Sequence, residues 1–261
     1  MTPAPTLRVV TSPQSLFERT KMKQLLEKHF GKFWLAMVFV FLYMPLLFMI
    51  VFSFNSTRQD AKFTGFSTRW YEALMKDDRI VEGFFTSLKV ASITGVLSAV
   101  LATFAAFVLV RYRRFLGRTV FSGMVNAPLV MPEVIIGLSL LLLAVGAQNA
   151  FGWPERGLLT IILGHTLLGM AYGMVVIQSR LLEMDRSIEE AAMDLGARPY
   201  QVFFLITLPN IFQAILAAFL LSFTLSFDDV VIAEFLSGPG VSTLPQAIFG
   251  YARPAITPTI Y

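Results

Sequence analysis

The chain has 261 residues, of which 56% are hydrophobic and only 15% are charged, and its mean hydropathy is +0.67. Soluble domains are about half apolar and about one quarter charged, so this composition excludes an ordinary soluble domain. The formal net charge is +4, and the lack of cysteine excludes disulfide bonds and thiolate chemistry. We therefore expect an integral membrane protein.

Five segments are long and apolar enough to cross a bilayer as helices, which takes about 20 apolar residues each. They are residues 33–54, 88–110, 121–147, 158–177 and 203–227. We predict an all-α fold in which residues 1–32 form an N-terminal tail and residues 33–261 form one transmembrane domain.

The distribution of Lys and Arg predicts the orientation, because short cytoplasmic loops carry an excess of these residues. The tail carries six, residues 111–118 carry four and residues 180–198 carry three, and all three segments fall on one side of the membrane. The longer 53–87 loop carries five, but five acidic residues offset them. We therefore expect a cytoplasmic N-terminus and a cytoplasmic loop at about 178–201.

Two prolines interrupt the third predicted span. Pro128 and Pro132 lack a backbone N–H, so we expect a kink or a break there, of the kind tolerated where backbone lines a cavity. Glu133 follows directly, and a carboxylate inside a bilayer is costly enough to indicate a function. We expect Glu133 to lie on a polar pathway. The alternative is that the kink merely lets its side chain reach water.

The fourth predicted span contains Gly169 and Gly173, whose spacing is typical of a helix-packing face, and His165, which we expect to be hydrogen-bonded between helices. In the fifth, Ser222, Ser226 and Asp229 recur at four- and three-residue steps and form one polar stripe.

Carboxylates at the end of this fifth span would suit a cationic substrate, because they replace the hydration that a cation loses and attract it electrostatically. We therefore predict a substrate path that includes Ser226, Asp228 and Asp229, with Asp229 more important than Asp228 because it continues the polar stripe. The alternative is that both carboxylates only cap the next helix.

The loop at 178–201 is predicted to contain a short amphipathic helix. Ser187 and Glu190 have the spacing of a capping box, and Gly196 is placed to end the helix in a left-handed conformation. Pro199 then starts the next helix. Apolar residues recur on one face at three- and four-residue steps, namely Leu181, Met184, Ile188, Ala191 and Leu195.

This loop reads EAA, three residues, G, nine residues, I, one residue, LP, from Glu190 to Pro209. The pattern resembles the coupling loop of bacterial ATP-binding-cassette importer permeases. Three further stretches are similar to the polyamine branch, and most of all to putrescine permeases: LLEMDRSIE at 181–189, APLVMPEVI at 127–135 and LSFDDVVIA at 225–233.

The resemblance implies a type I importer transmembrane domain that transports a polyamine, putrescine in particular. We expect no cofactor, and two isolated His residues do not predict a metal site. It implies as partners two copies of a cytoplasmic ATPase, a second, homologous permease and a periplasmic polyamine-binding protein. It assigns contact with the ATPase to a set of loop residues, Glu190, Ala191, Ala192, Asp194 and Gly196. For Glu190, a purely capping role is the alternative.

Members of this family have a sixth span after a segment like 244–258, whereas this sequence stops at Tyr261. We therefore expect either that the sequence is truncated or that the pore wall lacks one helix.

Other classes of function find less support in the sequence. It contains no HExxH, GxSxG or GxxxxGK[ST] pattern and no basic groove interleaved with aromatics, so we expect neither an enzyme, nor a nucleotide-binding site, nor a nucleic-acid partner. The main rival is an ion-coupled carrier or channel for a small organic cation, in which Glu133 and Asp229 would be the ion sites. A membrane assembly protein that uses the loop only for docking is a third possibility.

Overall fold

The computed structural model describes residues 13–57, 63–112 and 114–252, and the side chains of residues 30–251 within these ranges. Apart from one isolated antiparallel bridge between Asn55 and Phe66, the described residues form helices and loops, as the sequence predicts. The first helices are α1 (Pro13–Ser53), α2 (Arg69–Met75), α3 (Asp78–Arg111), α4 (Arg118–Val130), α5 (Glu133–Phe151) and α6 (Leu158–Glu183). The later ones are α7 (Ser187–Asp194), α8 (Pro199–Val202), α9 (Leu208–Asn210), α10 (Phe212–Asp228), α11 (Val231–Leu236) and α12 (Leu244–Ala252), with a π-helical turn at Phe203–Thr207 between α8 and α9.

Four of the described helices are long and apolar enough to cross a membrane, and the bent pair formed by Pro199–Asn210 and Phe212–Asp228 makes a fifth candidate. The count agrees with the five predicted segments. The expectation about a sixth span concerns the chain after residue 252, which lies outside the described residues.

The chain divides into two compact units, residues 1–73 and 74–261. In the first unit, α1 continues without interruption from the predicted tail into the first predicted span, whose apolar part is Phe30–Ser53. The helix therefore does not begin at residue 33. After α1 the indole N–H of Trp70 donates to the carbonyl oxygen of Asn55 at 2.8 Å, which closes the loop before α2.

The third predicted span is divided, as its prolines predict. Helix α4 ends at Val130 and α5 starts at Glu133, so the break lies at Met131 and Pro132. Pro128, by contrast, lies inside α4. The break occurs at Pro132 because a proline has no N–H to continue the helix but is well tolerated immediately before a new one.

The fifth predicted span is bent, a feature that the sequence analysis did not predict. The segments Pro199–Asn210 and Phe212–Asp228 meet at an angle of 68°. The cause lies at Pro209, which has no N–H to donate to the preceding turn. The preceding turn widens, so that the N–H of Leu208 bonds to the carbonyl of Phe203 five residues earlier, a π-type pairing.

Helices α3, α6 and α10 form the core of the second unit, with α10 antiparallel to α6. They approach closely because small residues meet where the helices cross. A Cβ atom added to Gly169 would lie 2.5 Å from Ser98 Oγ and 3.0 Å from Ser222 Cβ. A Cβ at Gly173 would lie 3.2 Å from the Cβ atoms of both Ala102 and Ala218. These contacts confirm the predicted packing face of the fourth span.

Apolar side chains fill this core on both sides of a polar layer. One buried cluster lies where α3 and α6 end and α10 begins, and its largest fully buried members are Met174, Ile177, Leu181 and Ile211. The other lies at the opposite end and is covered by α11, through Ile232 and Leu236. Buried polar groups lie between them: Thr94, Ser98, His165, Thr166, Ser222 and Ser226.

Replacing Gly169 with Val tests the close approach of the three helices. The added methyl groups would overlap Ser98 and Ser222, so we expect a loss of about 1–3 kcal/mol in folding free energy, typical of overpacking. A protein of this size should then lose about 2–4 °C in Tm for each kcal/mol. Thermal unfolding of the purified protein in detergent measures this shift.

Gly146→Val is the matched control, because a Cβ at Gly146 in α5 meets nothing within 4 Å. Equal Tm values for the two variants would contradict the close packing at Gly169.

Candidate functional site

The helix predicted in the 178–201 loop is α7, and its start differs from the prediction. Ser187 is the first helical residue instead of the cap, so the predicted capping box with Glu190 is wrong. Asp185 takes that role: its carboxylate accepts a hydrogen bond from the N–H of Ser187 at 2.9 Å. The same bond lowers the pKa of Asp185 below its usual range. Asp185 lies two residues before Ser187 in the three-residue connection from α6, so its side chain reaches the N–H of the first helical residue.

The end of α7 agrees with the prediction. Gly196 has φ of +88°, and its N–H bonds to the carbonyl of Met193 at 2.9 Å, while the N–H of Ala197 bonds to that of Ala192 at 3.0 Å. This pair of bonds is the Schellman motif, which needs a left-handed residue after the helix. Pro199 is the first residue of α8, also as predicted.

The exposed surface of α7 carries apolar and acidic residues together. Ile188 and Leu195 are 47% and 90% exposed, and Glu190, Ala191 and Asp194 are exposed beside them, whereas Ala192 is half-buried. The predicted apolar stripe is therefore divided, because Leu181 at its start lies in the buried core. We call five of the exposed residues the docking surface: Ile188, Glu190, Ala191, Asp194 and Leu195.

Glu189 attaches α7 to the rest of the domain, and the sequence reasoning missed it. Its carboxylate accepts a hydrogen bond from Arg111 Nη2 at 3.0 Å and another from the Thr207 hydroxyl at 2.6 Å. Arg111 Nε lies 2.8 Å from the same carboxylate as an ion-pair contact. Arg111 additionally donates to the carbonyl of Leu181 at 3.4 Å. The sequence analysis counted Arg111 only among the basic residues that predict the orientation. The available signal was an arginine at the last position of an apolar helix.

His165 joins two of the predicted path residues in a second buried network. Its Nδ1 lies 2.7 Å from Ser226 Oγ, and its Nε2 lies 3.2 Å from Asp229 Oδ1. The expectation that His165 is hydrogen-bonded between helices is confirmed. Asp229 Oδ1 also accepts from the N–H of Ala233 at 2.9 Å, in the first turn of α11. This hydrogen bond is the one expected if Asp229 caps the next helix, which is the alternative given above for this residue.

The polar stripe on α10 therefore faces α6. Besides Ser226 and Asp229, Ser222 bonds to the carbonyl oxygen of Gly169 at 3.0 Å. The close helix crossing turns these polar groups toward one another and buries Ser222 and Ser226, while the substrate path itself stays a prediction. Glu133 and Asp228 are not part of this network, and the side chains of both are exposed, the first at the start of α5 and the second at the end of α10.

Comparison with known protein families identifies the family of this chain. The family model described as binding-protein-dependent transport system inner membrane component matches residues 95–261, which include α7, both buried networks and the polar stripe. The chain belongs to this family. Membership places this permease in the inner membrane and among importers built from membrane permeases, ATPases and binding proteins. It confirms the prediction of a transport subunit that is not itself an enzyme.

Individual relatives agree with the family. The permease is 53% identical to the putrescine transport system permease protein PotI of Escherichia coli K12 over 227 residues, which is 87% of this chain and 81% of the relative. It is 33% identical to the spermidine/putrescine transport system permease protein PotC of the same organism, covering 85% and 82% of the two chains. The PotC protein of Haemophilus influenzae is 34% identical, covering 85% and 84%.

A solved structure shows the same fold at low sequence identity. The permease superimposes on a chain of a bacterial ABC transporter involved in the import of the acidic polysaccharide alginate with a TM-score of 0.64. The match covers 91% of this chain and 85% of that one, at 13% identity. The fold is that of a type I importer transmembrane subunit, as the sequence predicts.

Replacing Gly196 with Val should disrupt the end of α7. An ordinary residue pays about 1–2 kcal/mol in the left-handed conformation, and a β-branched one is less tolerant still. We expect the docking surface to tilt, so that the assembled importer hydrolyses ATP with little transport. ATP hydrolysis and ATP-dependent uptake are measured on the same proteoliposomes.

Gly196→Asn is the matched control, since Asn tolerates this conformation and should retain most of the uptake. Full ATP-dependent uptake by Gly196→Val at a normal level of assembled importer would refute this role of the glycine.

Proposed function

We propose that this permease is a membrane subunit of an ATP-driven importer and that its substrate is a polyamine, putrescine in particular. The observation that carries the proposal is the 53% identity to a putrescine permease along 87% of the chain. The lower identity of 33% to a spermidine/putrescine permease favours putrescine over the longer polyamine. The sequence had led to the same substrate through the stretches at 127–135, 181–189 and 225–233.

The assembly that we propose contains this permease, a second homologous permease, two copies of a cytoplasmic ATPase and a periplasmic polyamine-binding protein. The docking surface on α7 supports contact with the ATPase, because it combines exposed apolar side chains with the carboxylates of Glu190 and Asp194. An amphipathic helix of this kind binds in a groove through its apolar residues, and the carboxylates would select a basic rim.

The proposed orientation has the N-terminus and α7 in the cytoplasm. The Lys and Arg counts of the tail and of residues 111–118 and 180–198 support it. In this orientation α10 starts at the cytoplasmic side and ends at the periplasmic side, so that Asp228 and Asp229 would lie near the periplasmic entrance.

Transport requires that movement at the ATPase opens the membrane domain alternately to the two sides. We propose that ATP-driven closure of the ATPases displaces α7 and that the helix bundle follows. Gly196 supports this role, since a fixed Schellman turn keeps α7 at a defined angle to α8. The permease performs no chemistry on the substrate.

We propose a substrate path that includes Glu133, Ser226, Asp228 and Asp229. Exposure of the Glu133 and Asp228 carboxylates supports direct contact of these two with a dication. The Asp229 side chain is only 9% exposed and is held by His165 and α11, so it would act from behind Asp228 through its charge and its position. Ser226 would orient His165. This order reverses the one predicted from the stripe.

Uptake by the complete importer tests the proposed function. Proteoliposomes that contain both permeases, the ATPase and the binding protein should accumulate radiolabelled putrescine only when ATP is supplied on the ATPase side. A proton ionophore should have little effect. Uptake driven by an imposed ion or pH gradient without ATP would instead establish the ion-coupled carrier.

Two carboxylate variants in the same assay test the path. Loss of a charge-assisted contact is worth about 1.5–3 kcal/mol, so Asp228→Asn should lower initial putrescine uptake about tenfold or more. Asp229→Asn retains the size and the acceptor for Ala233 and should lower uptake less. Near-normal uptake by both variants at matched membrane levels would leave only the helix-capping role.

A further inference from the structure

The coupling helix α7 is attached to its own domain by one buried residue. Of the eight described residues of α7, Glu189 alone is buried, and its neighbours Ile188 and Glu190 are exposed. Among the polar contacts of α7 with the rest of the domain, those of Glu189 are the buried ones, and a displacement of α7 acts on them directly.

Those contacts lead directly into the three-helix core. Arg111 is the last residue of α3, and α3 packs along both α6 and α10. The guanidinium group binds the Glu189 carboxylate with two nitrogens, at 2.8 and 3.0 Å, and reaches the carbonyl of Leu181 in α6 at 3.4 Å. One arginine thus joins α7, α3 and the end of α6.

A second contact leads to the start of the fifth segment. Thr207 is fully buried in the π-helical turn before the bend at Ile211, and its hydroxyl donates to Glu189 at 2.6 Å. It occupies the variable position between Ile206 and Leu208 of the loop pattern. The Glu189 carboxylate therefore connects α7 to the end of α3 and to the turn that leads into α10.

We propose that the Arg111–Glu189 ion pair, supported by Thr207, transmits the displacement of α7 to α3 and α10 and so couples ATP hydrolysis to transport. Both side chains are less than a tenth exposed, so solvent screens their attraction weakly and separating them is costly. The hydrogen bond from Nη2 and the 2.8 Å ion-pair contact of Nε together hold the planar guanidinium and the carboxylate in one relative orientation. Apolar side chains in the same place would slide past one another at little cost. This inference rests on the proposed importer function.

The test measures putrescine transported per ATP hydrolysed by the complete importer in proteoliposomes. Glu189→Gln removes the charge and leaves the docking surface unchanged, so the ATPase should still copurify with the membrane subunits. We expect the transport-to-hydrolysis ratio to fall about tenfold. Glu183→Gln is the matched control, because Glu183 pairs with Arg180 at 3.4 Å on the exposed end of α6, and its ratio should stay within about twofold of wild type.

A double variant separates transmission from stability. Arg111→Met combined with Glu189→Met contains no unpaired buried charge, and apolar replacement of a buried ion pair is commonly tolerated or stabilising. We expect this variant to assemble at a normal level and still to show the low ratio. A normal ratio in the double variant, or in Glu189→Gln, would show that the pair serves only stability and would overturn the proposal.

The wild-type importer distinguishes failure of this inference from failure of the proposed function. If the wild type shows no ATP-dependent putrescine uptake, the proposed function is wrong and the link with it. If the wild type transports and either variant keeps a normal ratio, the function stands and only the link is wrong.

Discussion

The backbones of α3, α6 and α10 approach one another because Gly169 and Gly173 present no side chain where the three helices cross, and Ala102, Ala218 and Ser222 present small ones. In a bilayer the hydrophobic effect contributes little to the association of helices, so close packing and interhelical hydrogen bonds must stabilise it. The approach brings Ser222 Oγ to the carbonyl of Gly169 and Ser226 to His165. The buried positions of His165, Ser222 and Ser226 follow from this crossing.

Two buried polar networks attach α7 and α11 to this core at opposite ends. At one end Glu189 holds α7 against Arg111 of α3, and at the other Asp229 holds the first turn of α11 against His165 of α6. Each network leaves a neighbouring acid exposed, Glu190 beside Glu189 and Asp228 beside Asp229. The same arrangement thus appears twice: one acid fixes an element, and its sequence neighbour is available to a partner or a substrate.

Much of this structure is predictable from the sequence, and the exceptions have physical causes. Apolar length predicts the spans, Pro132 predicts the break before α5, and Gly196 predicts the left-handed end of α7. The predicted capping box at Ser187 and Glu190 was wrong because it requires the helix start to be known to within one residue. Asp185 instead accepts the N–H of Ser187, which is already helical. Glu189 was missed because its partners Arg111 and Thr207 are 78 and 18 residues away in the chain, a separation that local periodicity does not report.

If the Arg111–Glu189 pair transmits the displacement of α7, then α7 and the three-helix core move as one body while ATP drives the importer. This chain has no native cysteine, so the labelled sites on it are two introduced ones, Met193→Cys in α7 and Phe85→Cys near the start of α3, both exposed positions. Any cysteines of the other subunits are first replaced by serine. Pulsed electron spin resonance then measures the distance between the labels in the assembled, transport-active importer without nucleotide and with a trapped nucleotide. The distance should stay the same to within about 2 Å. A change of about 5 Å or more, the rise of one helical turn, would show that α7 moves independently of the core and would contradict the account.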